Sequence, residues 1–359
     1  MKPIYMLLSG LLTVFLGGVI PVAGAEREAA SLQLCLAAAA DDSPVYPTRT
    51  FPPGTKEVLA LFQLGQGETP RKLAGTWVAL DIGNAAPKDS VIAKSELRVR
   101  GRRGSFRLTG RGPAGLPAGK YRFDLMADGK PWQSVDFTIV AVGRPHDVQR
   151  PADLLPLTSG KVWTYAFLQE AGPGAKVSLP GITPDADGKL RATVTLTVAK
   201  TGERGTLIEL RRNGAHVFDQ WWRVDGSGLR LTGIQVVGEE LAPVDPPEVL
   251  WPFPLRTPQT WRWESNTEAV LKELGAKDSR LRRVFHMWGP LPVNGPRGEA
   301  PGYVVLSEER VKPQEGMQAL AITVERHFLP GAGMVREVII QALNTEMVSR
   351  QELMLKDKP

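Results

Sequence analysis

Short runs of alternating apolar and polar residues dominate this chain, the period-two pattern of strands with one buried face. Leu32, Leu34 and Leu36 alternate with polar or small residues, and Val58, Ala60, Phe62 and Leu64 do so after the Pro52-Pro53-Gly54 turn. Trp77-Val78-Ala79-Leu80 follows at the next interval. The clearest pair runs from Gly119 to Leu125, reverses at Asp128-Gly129, and returns from Trp132 to Val140. Tyr121, Phe123 and Leu125 share one face, and Asp-Gly is a strong hairpin signal because both turn positions take positive φ. Roughly seven or eight strands in about 110 residues, with turns every 8 to 12 residues, predict a β-sandwich over residues 26–143.

Residues 144–152 are polar, contain proline and lack periodicity, as a semi-extended linker would. Beyond them one motif occurs twice. Leu155-Pro156-Leu157 precedes Trp163-Thr164-Tyr165, and Phe253-Pro254-Leu255 precedes Trp261-Arg262-Trp263, with the same proline-to-tryptophan spacing. Further on, Trp221-Trp222 precedes Gly226-Ser227-Gly228, and Phe328 precedes Gly331-Ala332-Gly333. Residues 153–359 therefore read as a larger β domain with two related halves, 153–247 and 251–355. The five prolines from Pro243 to Pro254 predict an extended crossover between them. One helix is expected over Thr267 to Leu274, capped by Asn266 and ended by Gly275. The fold class is mainly β: an immunoglobulin-like sandwich, then one curved antiparallel sheet that can extend to a half-open barrel.

Leu116-Pro117-Ala118-Gly119-Lys120-Tyr121 and Phe137-Thr138-Ile139-Val140 resemble the closing hairpin of immunoglobulin-like domains in bacterial exported proteins. The resemblance covers about a third of the chain and implies a sandwich with no attached activity. The second domain is similar to β-rich domains of periplasmic bacterial proteins, through its Pro-Leu…Trp-x-aromatic entries and the Phe328-Leu329-Pro330-Gly331-Ala332-Gly333-Met334-Val335 hairpin. Some of those look like lipoprotein-carrier half-barrels, which implies an apolar concave face able to enclose an amphiphile.

The N-terminus bears on compartment. Lys2, the apolar stretch from Met6 to Ile20 and Ala23-Gly24-Ala25 match a signal peptide over residues 1–25, cleaved near Ala25. The alternative is an uncleaved inner-membrane anchor over residues 4–25. Either way the folded part is expected outside the cytoplasm, periplasmic or secreted. Cys35 is the single cysteine, so no internal disulfide can form, and Leu34 before it is wrong for a lipidation signal. Cys35 reads as an ordinary strand residue. The net charge of +6, or +5 without Lys2, is mild for a chain this long and implies no nucleic acid.

Two sets of residues are candidates for binding. Arg98, Arg100, Arg102, Arg103, Arg107 and Arg111 lie close together with no acidic residue among them. Read as an amphipathic hairpin with Phe106 and Leu108 inward, they make a cationic face for an anionic surface or envelope partner; its bland counterpart is a solvated sheet face. Trp163, Tyr165, Trp222, Trp261 and Trp263 form the second set. They fit either the lining of a cavity for an acyl chain or sugar, or an aromatic sheet core. Trp221 and Trp222 are adjacent and must face opposite ways.

Catalytic motifs are missing from the sequence. The four histidines stand apart without ligand spacing, and Asp185-Ala186-Asp187-Gly188 lacks the further oxygens of a calcium loop. Neighbouring carboxylates such as Glu308-Glu309 would diverge on a strand. No phosphate loop, nucleophile elbow or dinucleotide fingerprint occurs. The expectation is a non-enzymatic protein without cofactor or metal: an envelope binding or adaptor protein using the arginine face, or alternatively a carrier or chaperone for a lipid or other amphiphile. Oligomeric state is not legible.

Overall fold

The computed structural model describes residues 30–65, 67, 70, 72–98, 102–112, 114–141, 151–203, 205–265, 281–311 and 320–356. The proposed signal segment, residues 144–150 of the expected linker, Arg100 and the expected helix at 267–274 lie outside them. The chain divides between residues 146 and 147 into two compact units.

The N-terminal unit is a sandwich of nine strands: β1 (Ser31–Ala38), β2 (Pro44–Pro47), β3 (Thr50–Phe51), β4 (Glu57–Gln63), β5 (Lys72–Asp81), β6 (Ser90–Arg98), β7 (Arg103–Thr109), β8 (Gly119–Ala127) and β9 (Lys130–Ile139). One sheet has the order β2-β1-β4-β7 and the other β3-β9-β8-β5-β6, antiparallel throughout except that β3 runs parallel to β9. Asp128 and Gly129 both adopt positive φ and join β8 to β9 in the predicted hairpin. Trp77 and Phe123 approach at 4.3 Å, and Phe106 reaches Phe123 from the opposite sheet at 5.5 Å, which ties the two layers together. Cys35 is buried in β1.

Tyr121, at the start of β8, donates its hydroxyl to the Pro117 carbonyl four residues upstream at 2.6 Å. This is the tyrosine corner of immunoglobulin-like sandwiches, which holds the turn into the penultimate strand. Tyr121→Phe is expected to cost the sandwich about 1 kcal/mol, the net value of one hydrogen bond, read from the denaturant midpoint of its transition. An unchanged midpoint would show that the corner contributes nothing.

The C-terminal unit begins with one helical turn, Pro151–Leu154, followed by twelve strands. The first six are β10 (Val162–Ala171), β11 (Leu190–Gly202), β12 (Gly205–Arg212), β13 (Ala215–Asp225), β14 (Gly228–Val236) and β15 (Ala242–Pro252). The second six are β16 (Gln259–Ser265), β17 (Leu281–Gly295), β18 (Gly298–Val311), β19 (Leu320–Leu329), β20 (Gly333–Leu343) and β21 (Glu346–Leu355). All pair antiparallel in one sheet of order β15-β14-β13-β12-β11-β10-β21-β20-β19-β18-β17-β16. Each set of six is a meander, and pairing of β10 with β21 joins the two meanders. The Pro-Leu…Trp motifs open β10 and β16, and the Gly-x-Gly turns join the fourth strand to the fifth in each set.

The sheet curls until its edges nearly meet. β15 and β16 are the end strands, and side chains bring them together. Trp261 Nε1 donates to the Val249 carbonyl at 2.9 Å, Trp263 Nε1 to that of Pro246 at 2.8 Å, and Ser265 Oγ to that of Asp245 at 2.6 Å. The proline-rich segment read as a crossover is thus the edge strand β15. An edge tolerates proline because one row of its backbone groups makes no ladder bonds. No helix among the described residues is long and apolar enough to cross a membrane.

Candidate functional site: the barrel interior

Strand alternation decides what enters the barrel. On β10, Trp163, Tyr165, Phe167 and Gln169 are buried while the residues between them are more exposed. On β13, adjacent Trp221 and Trp222 point to opposite faces as expected: Lys200 Nζ lies 5.5 Å from the Trp221 ring, and Trp222 faces inward. The inward residues leave a cavity of ≈ 60 Å³ inside the sheet. Its apolar wall includes Leu155, Trp163, Leu196, Leu229, Phe328 and Met334, with Tyr165, Trp222 and Trp251 adding aromatic surface. Both meanders contribute to it, so the cavity exists only because the sheet curls.

Of the five aromatic candidates, Trp163, Tyr165 and Trp222 line this cavity. Trp261 and Trp263 close the β15–β16 seam instead, and Trp261 stacks on Phe285 at 5.0 Å. Leu155 and Trp163 both press against Gly333, where a side chain would collide with them, and Trp163 Nε1 donates to the Ala332 carbonyl at 2.8 Å. The first Pro-Leu…Trp motif therefore plugs the barrel at the β19–β20 turn.

Three polar side chains share the cavity: Gln220, Glu248 and Arg326. Gln220 is 3 % exposed, and its Oε1 accepts from Trp222 Nε1 at 3.0 Å. Indole N–H can only donate, so this bond fixes which end of the amide is Oε1 and which is Nε2. Among the described residues Nε2 has no partner. Arg326 Nε donates to Glu337 at 2.6 Å, and Glu248 is ion-paired with Arg283. Arg283, 2 % exposed, also donates to Glu309 through Nε at 3.2 Å and a terminal nitrogen at 2.9 Å, and lies 5.3 Å from the Trp263 ring. This triad spans the seam, with Glu248 on β15, Arg283 on β17 and Glu309 on β18.

Burial dominates the electrostatics here. It raises the pKa of Glu309, against the pull of Arg283 and with a further push from Glu248. It raises Glu337 in the same way, opposed by Arg326. For Arg283 burial acts against the charge, but the two carboxylates outweigh it and hold the guanidinium protonated. Elsewhere on the inner face Gln169 and Gln351 are directly opposed and buried, and no amide atom of either finds a partner among the described residues. An unmet buried polar group costs about 1–3 kcal/mol.

The sequence singled out none of these inward polar residues. Their signal was a charge or amide on the apolar phase of an alternating strand: Gln220, Arg283, Arg326 and Glu337 each occupy a position where the pattern calls for an apolar residue. Glu308 and Glu309 diverge as expected, with Glu308 outside, 3.7 Å from His286, and Glu309 inside. Among the described residues no group of histidine, cysteine and carboxylates is placed to hold a metal ion.

The arginine hairpin is corrected by the topology. β6 pairs with β5 and β7 with β4, so Arg98 belongs to one sheet while Arg103 and Arg107 belong to the other. β6 and β7 follow one another in the sequence but lie in different layers. Arg98, Arg102, Arg103, Arg107 and Arg111 are exposed. Local acceptors hold three of them: the Leu64 carbonyl for Arg102 at 2.9 Å, Gln63 for Arg103 at 3.1 Å, and Glu57 for Arg107 at 3.1 Å.

No protein-family model matches the chain, and no curated protein does. Among solved structures it is similar to a protein with a YmcC-like fold from Bacteroides fragilis, at 14% identity and a TM-score of 0.27, over 57% of this chain and 99% of that one.

Proposed function

We propose that the protein is a non-catalytic binding protein of the bacterial envelope that holds a small amphiphile inside its C-terminal barrel. The observation that carries the reading is the cavity itself, apolar over most of its wall with Gln220, Glu248 and Arg326 as its polar lining. Pockets of this kind, apolar with a few placed polar groups, are what small-molecule sites need. At ~10–15 Å³ for each water-sized group, ≈ 60 Å³ holds only a short piece of an acyl chain. A longer chain enters by parting β15 from β16, which among the described residues are linked by side-chain hydrogen bonds and an ion-paired triad. Export is supported by the N-terminal segment, with Lys2, the Met6 to Ile20 apolar stretch and Ala23-Gly24-Ala25.

Organic extraction of the purified protein followed by mass spectrometry is expected to release a near-stoichiometric amphiphile. The emptied protein should then bind N-phenyl-1-naphthylamine with a rise in dye emission. A clean extract together with no dye binding would contradict the reading. An anionic partner on the sandwich is the second reading, favoured by the exposure of the five described arginines. Such a partner would have to compete with the acceptors that already hold Arg102, Arg103 and Arg107.

A further inference from the structure

We propose that the amphiphile carries a carboxylate head, held by the terminal nitrogens of Arg326. The inference rests on the binding reading above and names the ligand's chemical class. Arg326 lies on β19, inside the sheet between β18 and β20, and is paired with Val305 and Glu337. It shares the inward phase of its strand with Ile322, Val324 and Phe328, all core residues of the barrel, and it lines the cavity beside Val305 and Phe328. The Arg326 side chain is 13 % exposed, against 1 % for Glu337. In mid-sheet and on the inward phase, that accessible surface faces the barrel interior.

Arg283 and Arg326 differ in what they already hold. Arg283 meets two carboxylates, Glu248 and Glu309. Arg326 meets one: its hydrogen bond among the described residues runs from Nε to Glu337, which leaves the two terminal nitrogens unengaged there. A ligand carboxylate accepting from both would give Arg326 the second partner that Arg283 has, and a planar guanidinium matches a planar carboxylate as a fork. Glu248, the other charge in the cavity wall, is held by Arg283 and does not compete for Arg326. An ammonium head would meet the Arg326 charge directly, and an ester carbonyl offers it only a weaker, uncharged acceptor. At ≈ 60 Å³ the cavity also favours a flat carboxylate over a bulkier phosphate.

Three probes of equal chain length separate the cases in the full-length protein emptied of ligand: octanoate, 1-monooctanoylglycerol and octylamine, each displacing N-phenyl-1-naphthylamine at neutral pH. Octanoate is expected to bind most tightly, about tenfold above the ester, as one charge-assisted contact allows. Arg326→Lys keeps a cation for Glu337 and removes the fork, and it should weaken octanoate about tenfold while the ester changes little. Because a single substitution can unbalance Glu337, the double variant Arg326→Gln with Glu337→Gln is the companion: it removes both charges together and should lose octanoate at least as much. Tighter binding of the ester or of octylamine than of octanoate overturns the carboxylate head and leaves the amphiphile reading standing. So does an octanoate affinity that neither variant alters. If dye and all three probes fail to bind, the amphiphile reading itself falls, and this inference with it.

Discussion

Arg283→Met is expected to destabilise the barrel by about 3–5 kcal/mol, the cost of removing one partner from a buried ion pair. The substitution preserves much of the side-chain volume, so packing is a minor part of the loss. What remains is Glu248 and Glu309, both buried and facing each other's charge without a cation between them. The loss falls on the seam, since the triad bridges β15 to β17 and β18. Trp263 also loses the guanidinium beside its ring.

The defect should depend on pH in a definite direction. Glu309 already has a folded pKa above its ordinary value because of burial, and removing Arg283 raises it further. A carboxylate with a raised folded pKa disfavours the fold above that value and ceases to do so below its unfolded pKa of about 4.3. The deficit of Arg283→Met should therefore be largest at pH 8 and shrink toward pH 5. Adding Glu248→Gln and Glu309→Gln to the variant should recover most of the loss at pH 8. Urea titration followed by tryptophan emission measures this, because seven of the nine tryptophans lie in the barrel. A deficit below about 1 kcal/mol at pH 8, within the range of exposed pairs, would mean the triad is solvated and the seam is held by other contacts.

Trp163→Ala is the second large effect, about 3–5 kcal/mol for truncating a buried aromatic. Trp163 is 3 % exposed, supports Leu155 and the close approach of Gly333, and donates to the Ala332 carbonyl. Its removal opens the end of the barrel and frees the β19–β20 turn. For a unit of about 200 residues the loss corresponds to roughly 10 °C in Tm. The equivalent residue of the second motif, Trp261, is only half-buried. Trp261→Ala should therefore lower Tm by clearly less. Equal losses in differential scanning calorimetry would contradict the assignment of plug to one tryptophan and seam to the other.

The strand pattern carried much of this fold. Alternation from Leu32 to Val140 placed the sandwich strands, Asp128-Gly129 placed their last hairpin, and the repeated Pro-Leu…Trp and Gly-x-Gly signals marked equivalent points of two six-strand meanders. These are local signals, set by side-chain period and turn conformation. Long-range pairings were illegible for the complementary reason. Nothing near Trp163 states that β10 will pair with β21 nearly two hundred residues later, yet that pairing turns two meanders into one barrel. The separation of β6 from β7 was hidden likewise, because a glycine reversal reads the same within a sheet and between sheets.

The site was legible in half. The tryptophan pattern led to Trp163, Tyr165 and Trp222, which do line the cavity, whereas Trp261 and Trp263 serve the seam. Its polar chemistry escaped because single charges in strands such as Leu281-Arg282-Arg283-Val284 read as surface until closure shows which face is interior. Arg282 is exposed and Arg283 is buried, one residue apart. Arg283 shares its phase with Leu281, Phe285 and Met287, and the curl of the sheet makes that phase the interior.

Placing the ligand tests the central claim most directly. The bromine-labelled acid 8-bromooctanoate, bound to the emptied protein and crystallised, gives an anomalous bromine peak that locates its chain. The peak is expected inside the barrel beside Trp163, Phe328 and Met334. Bromine density on the outer surface, or an empty cavity in a crystal grown with saturating acid, would contradict the account.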